Sequence, residues 1–263
     1  MNDSRRDLDE GAPDEGRPES PAILEQVRSF WDADAATYDR SRSHRPSSAA
    51  VLAAWTAALA RLLPPAPARV LDAGAGTGFL SLIAARLGHA VTALDLSPLM
   101  LEQLERSARA ESLEIETVVG PADRPPEGFD SVIERHLLWT LPDPVGALKA
   151  WREAAPSGRL VLLESVWGSV DRFEALRSRL RRLVRTARRE PPDHHASYGE
   201  ALRGALPLGS GTAPAELVGM VGTSGWIRPR LERLRDVEWS ERCELSAIER
   251  VTGVSPRFAI TAD

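Results

Sequence analysis

Short apolar runs alternate with amphipathic stretches through the centre of the chain. Five apolar runs predict β-strands, at residues 68–72, 89–95, 114–119, 129–134 and 159–164. The stretches at residues 79–87, 98–110 and 144–155 carry apolar residues at helical spacing. Strands that alternate with helices of about 10 to 15 residues indicate a parallel sheet covered on both faces. The pattern therefore predicts the α/β class, with a doubly wound sheet in three α/β/α layers.

The first 20 residues have a different composition from the rest of the chain. They are rich in Asp, Glu, Arg, Pro and Gly, and such a segment buries too little apolar surface to offset the entropy of ordering it. We expect residues 1–20 to be a disordered tail and residues 21–263 to form one domain. Within that domain, helices are predicted near residues 21–31 and 50–63, before the first strand.

The regular alternation stops after residue 164. An Arg-rich helix is predicted over residues 171–190, followed by a segment rich in Pro, His and Gly. The pattern then predicts a strand near residues 231–239, a helix after Ser240 and a last, antiparallel strand at 257–261. Residues 167–212 are therefore interpreted as a helical lid inserted after strand five, where such sheets cover their ligand crevice.

Composition and charge exclude several classes of protein. The 263 residues carry a net charge of −5, which provides no general attraction to nucleic acid or acidic membranes. Arginines of the 171–190 helix could contact RNA phosphates, but aromatic residues for base stacking are scarce there, which favours a solvated face. The single cysteine permits no internal disulfide, and no metal site is expected. No apolar run reaches the roughly 18 to 20 residues of a membrane span, and the N-terminus is unlike a signal peptide, so a cytoplasmic protein is expected.

A glycine-rich loop follows the first strand of the sheet. Its glycines are Gly74, Gly76 and Gly78, the first, third and fifth positions of the loop. A dinucleotide-binding fingerprint has glycine at the first, third and sixth positions, and here the sixth is Phe79. Asp72 precedes the loop, and its negative charge suits a cationic ligand better than a pyrophosphate.

A second acidic residue ends the next strand. Asp95 follows the loop by about 20 residues, the position at which an acid accepts hydrogen bonds from ribose hydroxyls. Together, the loop and the two acids predict a nucleoside ligand that carries a positive charge and no phosphate bridge.

The segment Leu71-Asp-Ala-Gly-Ala-Gly-Thr-Gly78 followed by Asp95 resembles the class I S-adenosylmethionine-dependent methyltransferases. The resemblance extends over residues 22–165 and implies a Rossmann-like fold with S-adenosylmethionine as cofactor. It implies that Asp72 and Gly74 lie at the methionine end of the cofactor and that Asp95 holds the ribose. It also implies that the cofactor site includes Ala75, Gly76, Gly78, Leu96 and Arg135.

One feature of that family is altered after the third strand. Members often have Gly-Asp-Ala there, with the Asp at the adenine amino group, whereas this chain has Gly120-Pro-Ala-Asp123. Either Asp123 takes that role or the backbone N–H of Ala122 alone contacts the adenine.

The segment after the fourth strand is expected to face the acceptor. It lacks the Asn/Asp-Pro-Pro-Tyr/Phe motif of the nucleic-acid amino-methylating branches. The run from Arg135 through Trp139 to Pro144 resembles small-molecule methyltransferases of actinobacterial natural-product pathways. His136 could serve as the base for a hydroxyl acceptor, or it could only pack beside Trp139.

Other candidates at the acceptor side come from distant segments. By the resemblance, Tyr38 belongs to an N-terminal segment that folds over the cofactor, where it could approach the sulfonium methyl or simply pack. Glu164 could line the acceptor pocket or belong to a loop, and His44 is interpreted as a surface residue.

The sequence thus predicts methyl transfer from S-adenosylmethionine to a nitrogen or oxygen of a small-molecule acceptor, in antibiotic-type biosynthesis. Alternatives that remain open are a peptide N-terminus or RNA as acceptor, and a non-catalytic cofactor-binding partner protein. An NAD-dependent oxidoreductase is disfavoured by the glycine spacing. The oligomeric state is not predicted.

Overall fold

The computed structural model of the chain describes residues 20–41, 44–46, 48–165, 179 and 198–263. The predicted tail, the Arg-rich helix and most of the predicted lid lie outside these residues. Helices in the described part are α1 (Ser20–Asp34), α2 (Ala49–Leu62), α3 (Phe79–Arg86), α4 (Pro98–Ala110), α5 (Pro144–Ala154), α6 (Glu200–Ala205), α7 (Pro214–Thr223), α8 (Arg235–Cys243) and α9 (Ala247–Thr252). Strands are β1 (Arg69–Ala73), β2 (Ala90–Asp95), β3 (Ile115–Val119), β4 (Ser131–Arg135), β5 (Arg159–Ser165), β6 (Arg230–Arg233) and β7 (Arg257–Ala262).

The strands form one sheet of seven in the order β3-β2-β1-β4-β5-β7-β6. The pairs among β1 to β5 are parallel, and β7 runs antiparallel to both β5 and β6. This confirms the predicted Rossmann-like α/β/α sheet with an antiparallel last strand. The strand order reverses between β1 and β4, and ligands of open α/β sheets bind outside the carboxyl ends of the strands at such a point.

The sheet is buried between two apolar layers. On one face, the side chains of β1, β4 and β5 pack with those of α5 and α7, including the fully buried Trp151 of α5, and with Trp226, which follows α7. On the other face, they pack with α2, α3 and α8 around Leu59 and Ile83. Both faces of the inner strands are covered, which explains why the strands appear in the sequence as continuous apolar runs.

Two helices that lead into the site begin where capping chemistry predicts. Ser97 is the N-cap of α4, and its hydroxyl oxygen accepts a hydrogen bond from the backbone N–H of Met100 at 3.1 Å. Asp143 is the N-cap of α5, and its carboxylate accepts a hydrogen bond from the backbone N–H of Gly146 at 2.8 Å. In both helices proline occupies the first turn, where its missing N–H costs nothing.

The prediction of a strand over residues 231–239 was wrong in its second half. β6 ends at Arg233, and α8 begins at Arg235, earlier than the helix expected after Ser240. The helical turn buries Val237 against the sheet and leaves Trp239 exposed. Glu238 explains the change of direction, because its carboxylate accepts hydrogen bonds from Arg233 on β6 and from the backbone N–H of Arg257 on β7.

Candidate active site

The glycine loop joins β1 to α3 with three residues in the left-handed region of backbone conformation. Gly74, Gly76 and Gly78 have φ values of 68°, 55° and 91°. A Cβ at Gly74 would lie 2.6 Å from a methyl carbon of Leu137, and one at Gly78 would lie 2.6 Å from Leu104 Cγ. Among the described residues, a Cβ at Gly76 would come within 4.0 Å of Tyr38 alone. Gly74 and Gly78 are thus required for packing, whereas Gly76 leaves an open cradle above the loop.

Asp95 is bound directly to this loop. One of its carboxylate oxygens accepts the N–H of Gly76 at 2.8 Å and the other accepts the N–H of Ser97 at 2.8 Å. Burial raises the pKa of Asp95 to about 6, against the lowering effect of these backbone donors. A carboxylate has about four acceptor positions, so each oxygen can still accept a hydroxyl donor from a ligand.

Asp72 lies behind the loop and does not line the pocket. It is buried, and Ser81 of α3 donates its hydroxyl to the carboxylate at 2.5 Å. Burial raises the pKa of Asp72 to about 7, despite the Ser81 hydrogen bond. Ser81 is a partner that sequence reasoning missed, although its position one helical turn into α3 points toward the loop.

A single pocket at the carboxyl edge of the sheet brings together most of the predicted site residues. Its lining includes Tyr38, Gly74, Gly76, Asp95, Leu96, Ala122, Arg135 and His136. Ala75 is buried and Gly78 is the N-cap of α3, so both shape the loop from behind the lining. Asp123 is exposed and does not line the pocket.

The wall after β3 is fixed by α5. The indole N–H of Trp151 donates to the backbone oxygen of Ala122 at 2.7 Å. Ala122 is buried and lines the pocket, whereas the next residue, Asp123, is exposed. The geometry thus places Ala122 rather than Asp123 on the wall that the Gly120–Asp123 segment contributes.

The N-terminal segment covers the loop through polar contacts. Asp39 accepts the hydroxyl of Thr77 at 2.6 Å, and Asp32 accepts that of Ser97 at 2.5 Å. The ring of Tyr38 stacks on His44 at a centroid distance of 3.8 Å, and burial raises the pKa of Tyr38 to about 12. His44 is therefore half-buried against the site and not the surface residue that the sequence suggested.

Tyr198, in the described end of the predicted lid, packs on helix α1. Tyr198 is buried against Phe30, Trp31 and Trp139, with ring centroids 4.5 to 6.0 Å apart. Of these rings, Trp31 lines the pocket. Trp139 is thus part of an aromatic cluster that could not be predicted from the sequence, because its members come from three distant segments.

His136 lies at the other end of the pocket in a strained conformation. Its φ of 59° is uncommon for a residue with a Cβ, and such outliers cluster at functional sites. Its Nδ1 lies 3.0 Å from a carboxylate oxygen of Glu164, and its Nε2 lies 3.3 Å from Nη1 of Arg257. An arginine only donates, so Nε2 accepts and Nδ1–H donates to Glu164. His136 thus bridges the ends of β5 and β7.

The charges around His136 keep its ring neutral. Burial, then the cations Arg135 and Arg257, hold the pKa of His136 well below its ordinary value. Burial raises the pKa of Glu164 well above its ordinary value, and the nearby Glu134 adds to this. Arg257 is the functional candidate that sequence reasoning missed, and Glu164 proves to be a buried partner of His136.

Comparison with known proteins agrees with this geometry. Residues 71–162 match a family described as a methyltransferase domain. The magnesium protoporphyrin IX methyltransferase of Synechocystis PCC 6803, solved with bound S-adenosylmethionine, shares the fold. That likeness has a TM-score of 0.55 at 15% identity and covers 91% of this chain and 96% of the other. Residues 71–162 thus contain a methyltransferase domain, and the chain has the fold of the class I S-adenosylmethionine-dependent methyltransferases.

Curated relatives match this methyltransferase over part of their length. A ubiquinone biosynthesis O-methyltransferase of Xanthomonas axonopodis pv. citri is 39% identical over 38% of this chain and 44% of that protein. A demethylmenaquinone methyltransferase of Tropheryma whipplei is 33% identical over 53% of this chain and 59% of that protein. The matches thus span about half of these relatives.

S-adenosylmethionine is the cofactor that the methyltransferase domain implies, and the residues present fit it. The open cradle at Gly76 admits a ligand close to the backbone, and Asp95 retains acceptor positions for hydroxyls. Within the described ranges, no group of three or more His, Cys, Asp or Glu side chains could hold a metal ion. No helix in the same ranges is both long and apolar enough to span a membrane.

Proposed function

We propose that the protein transfers a methyl group from S-adenosylmethionine to an oxygen or nitrogen of a small-molecule acceptor, of the kind made in natural-product biosynthesis. The observation that carries the proposal is the single pocket that runs from Gly76 and Asp95 to His136. The two curated relatives, named for ubiquinone and menaquinone methylation, support a small organic acceptor.

The loop end of the pocket is suited to the cofactor. Asp95 would accept the ribose hydroxyls, and Gly76 would allow the nucleoside to lie against the backbone. Gly74 and Arg135 would contribute to the methionine end, with Asp72 buried directly behind the loop. Ala122 would face the adenine from the wall fixed by Trp151.

The His136 end of the pocket is suited to the acceptor. When bound, S-adenosylmethionine supplies an electrophilic methyl group on a sulfonium centre. The chain must hold the acceptor lone pair in line with that group and keep water out, and positioning of this kind supplies much of the rate. The aromatic rings of Trp31 and Tyr38 line this pocket, which suits an acceptor with an apolar, planar body.

The test is turnover with a panel of acceptors. Purified protein is incubated with S-adenosylmethionine and with phenols, quinols, aryl amines and alkyl amines, and release of S-adenosylhomocysteine is measured by chromatography. We expect turnover on at least one class, and its loss in Asp95→Ala. Binding of S-adenosylhomocysteine without turnover on any member of the panel would contradict the proposal and favour a non-catalytic binding protein. Turnover only on RNA or on a peptide N-terminus would show that the acceptor is not a small molecule.

A further inference from the structure

We infer that the reacting group of the acceptor is an acidic hydroxyl, such as a phenol or enol, held between Nε2 of His136 and the guanidinium of Arg257. Glu164 acts in this arrangement as the positioning residue of His136. The inference rests on the proposed function and narrows it from oxygen or nitrogen to oxygen.

The side chains of His136, Glu164 and Arg257 come together at the ends of β4 and β5 and the start of β7. His136 directly follows β4, Glu164 lies near the end of β5, and Arg257 is the first residue of β7. Because β7 is antiparallel, with Ser165 paired to Arg257, its beginning meets the ends of the parallel strands. The three groups therefore share the carboxyl edge at which ligands of such sheets bind.

The hydrogen bonds fix which nitrogen of His136 is available. Nδ1–H donates to Glu164, so the lone pair of Nε2 points toward Arg257. The contact between Nε2 and Nη1 is 3.3 Å, longer than the usual 2.9 to 3.0 Å of a strong hydrogen bond. A hydroxyl that donates to Nε2 and accepts from Arg257 would replace this weak contact with two better ones.

Arg257 is restrained so that it stays at this point. Its side chain is 10% exposed, and its Nε lies 3.3 Å from a carboxylate oxygen of Glu241 on α8. The second cation, Arg135, lies over the ring of Phe79 at 4.1 Å and over Trp55 at 5.3 Å. Arg135 lines the pocket, and Arg257 lies behind it in contact with Nε2 of His136, so both cations are close to the acceptor side in surroundings of low polarity.

These charges favour oxygen over nitrogen. An alkyl amine reaches the pocket in water mostly as an ammonium ion, which the guanidinium groups of Arg135 and Arg257 repel. A hydroxyl that loses its proton develops negative charge, which the same groups stabilise. Burial and the two arginines also lower the pKa of His136, with a smaller contribution from His44, so its Nε2 lone pair is free of a proton at neutral pH.

The step balances without any further reactant. The hydroxyl proton passes to Nε2 of His136, and the oxygen uses an electron pair to form the new bond to the methyl carbon. The bond from that carbon to sulfur breaks, and its electrons remain on the sulfur. The Nδ1–H of the imidazolium that results stays hydrogen-bonded to Glu164 on the other side of the ring.

The decisive test uses probes that offer both groups in one molecule. Phenols that also carry an alkyl amine, such as tyramine and hydroxybenzylamine, are incubated with the enzyme and S-adenosylmethionine, and the methylated atom is identified by NMR and mass spectrometry. Methylation on oxygen supports the inference. Methylation on nitrogen overturns it and leaves the proposed function standing. Binding of S-adenosylhomocysteine with no methylation of these probes or of the phenol and amine panel overturns both.

Variants separate the roles of the two partners. We expect Arg257→Gln to lower kcat on the hydroxyl at least 100-fold, with the Kd for S-adenosylhomocysteine changed less than two-fold. Arg257→Lys should restore part of the rate. The matched control is Arg233→Gln, because Arg233 also binds α8 through an ion pair with Glu238 but lies on the exposed strand β6. An equal loss of kcat in Arg257→Gln and Arg233→Gln would indicate a structural role for Arg257 and overturn the inference.

Glu164→Gln tests positioning, because the amide oxygen can still accept from Nδ1–H but carries no charge. We expect the acidic limit of the pH profile of kcat to move to lower pH together with a loss of rate, because the imidazolium of His136 is less stable without a negative charge on its partner. An unchanged pH profile with normal kcat would remove Glu164 from the reaction and contradict its assigned role.

Discussion

The amide nitrogen of Gly76 lies 2.8 Å from a carboxylate oxygen of Asp95, and this one hydrogen bond joins the glycine loop to the end of β2. The two residues are 19 positions apart in the chain. The bond holds the open cradle of the loop beside an acid that still has acceptor positions. The cofactor site therefore depends on a relationship that neither residue provides alone.

Replacing Asp95 should weaken cofactor binding. In Asp95→Ala, the ribose hydroxyls lose their acceptor and the Gly76 N–H loses its partner, so we expect at least a 10-fold rise in the Kd for S-adenosylhomocysteine, about 1.4 kcal/mol or more. Calorimetric titration provides the measurement. Asp123→Ala is the control, because Asp123 is exposed outside the pocket, and it should change Kd less than two-fold. The reverse order of effects would assign the nucleoside to Asp123.

Cofactor affinity should also depend on pH through Asp95. Its pKa is raised to about 6, and the protonated form loses part of its capacity to accept hydrogen bonds. The Kd for S-adenosylhomocysteine should therefore rise as the pH falls from about 7.5 to 5. The Asp95→Asn variant should show a flatter dependence over the same range. Equal slopes for the two proteins would mean that another group controls binding.

The loop glycines should differ from a helical glycine in their effect on stability. Gly78→Ala places a Cβ 2.6 Å from Leu104 at a φ of 91°, which combines a clash with a strained backbone. We expect a loss of about 2–4 kcal/mol in the free energy of unfolding, measured with urea. In Gly219→Ala, the new Cβ meets nothing within 4 Å on helix α7, and stability should stay the same or rise by up to about 1 kcal/mol. Similar losses in both would contradict the packing of the loop.

Glu134 should make stability fall with rising pH. It is fully buried, burial raises its pKa to about 8, and its Oε1 has no hydrogen-bond partner among the described residues. The unfolded chain releases this proton near pH 4.5, whereas the folded chain keeps it up to about pH 8, so the folded state becomes less favourable between these values. Glu134→Gln removes the effect.

The difference in unfolding free energy between Glu134→Gln and the wild type should therefore grow from pH 4.5 to pH 8, by on the order of a few kcal/mol. Urea unfolding at several pH values measures it. Glu102→Gln is the control, since Glu102 lies exposed on α4 beside Arg106 and should show no such trend. A pH-independent difference for Glu134→Gln would mean that its carboxyl is ionised in the folded protein.

The central part of the fold could be predicted from the sequence because the signals for its strands, helix caps and loop are local. The apolar runs of β1 to β5, the Ser97 cap and the glycine spacing each lie within a few residues, so periodicity and turn chemistry are enough to find them. The family resemblance predicted the cofactor and which residues would contact it. The strand predicted over 231–239 was wrong because Glu238, which turns the chain into α8, gains its partners only from β6 and β7.

The acceptor side of the site could be predicted only in part, because its residues are far apart in the chain. His136 was found because it follows a predicted strand. Its partner Glu164 lies 28 residues away and Arg257 lies 121 residues away, and the antiparallel pairing of β7 brings Arg257 to the site. The last strand was predicted to be antiparallel, but no local pattern shows that its first residue, Arg257, meets the ends of β4 and β5.

The central claim is that the pocket binds S-adenosylmethionine and not a dinucleotide. Its most direct test is calorimetric titration of the purified protein with S-adenosylhomocysteine, with NAD in a parallel titration. We expect saturable binding of S-adenosylhomocysteine with a stoichiometry near one, and no heat of binding with NAD. Binding of NAD, or no binding of S-adenosylhomocysteine, would contradict the account.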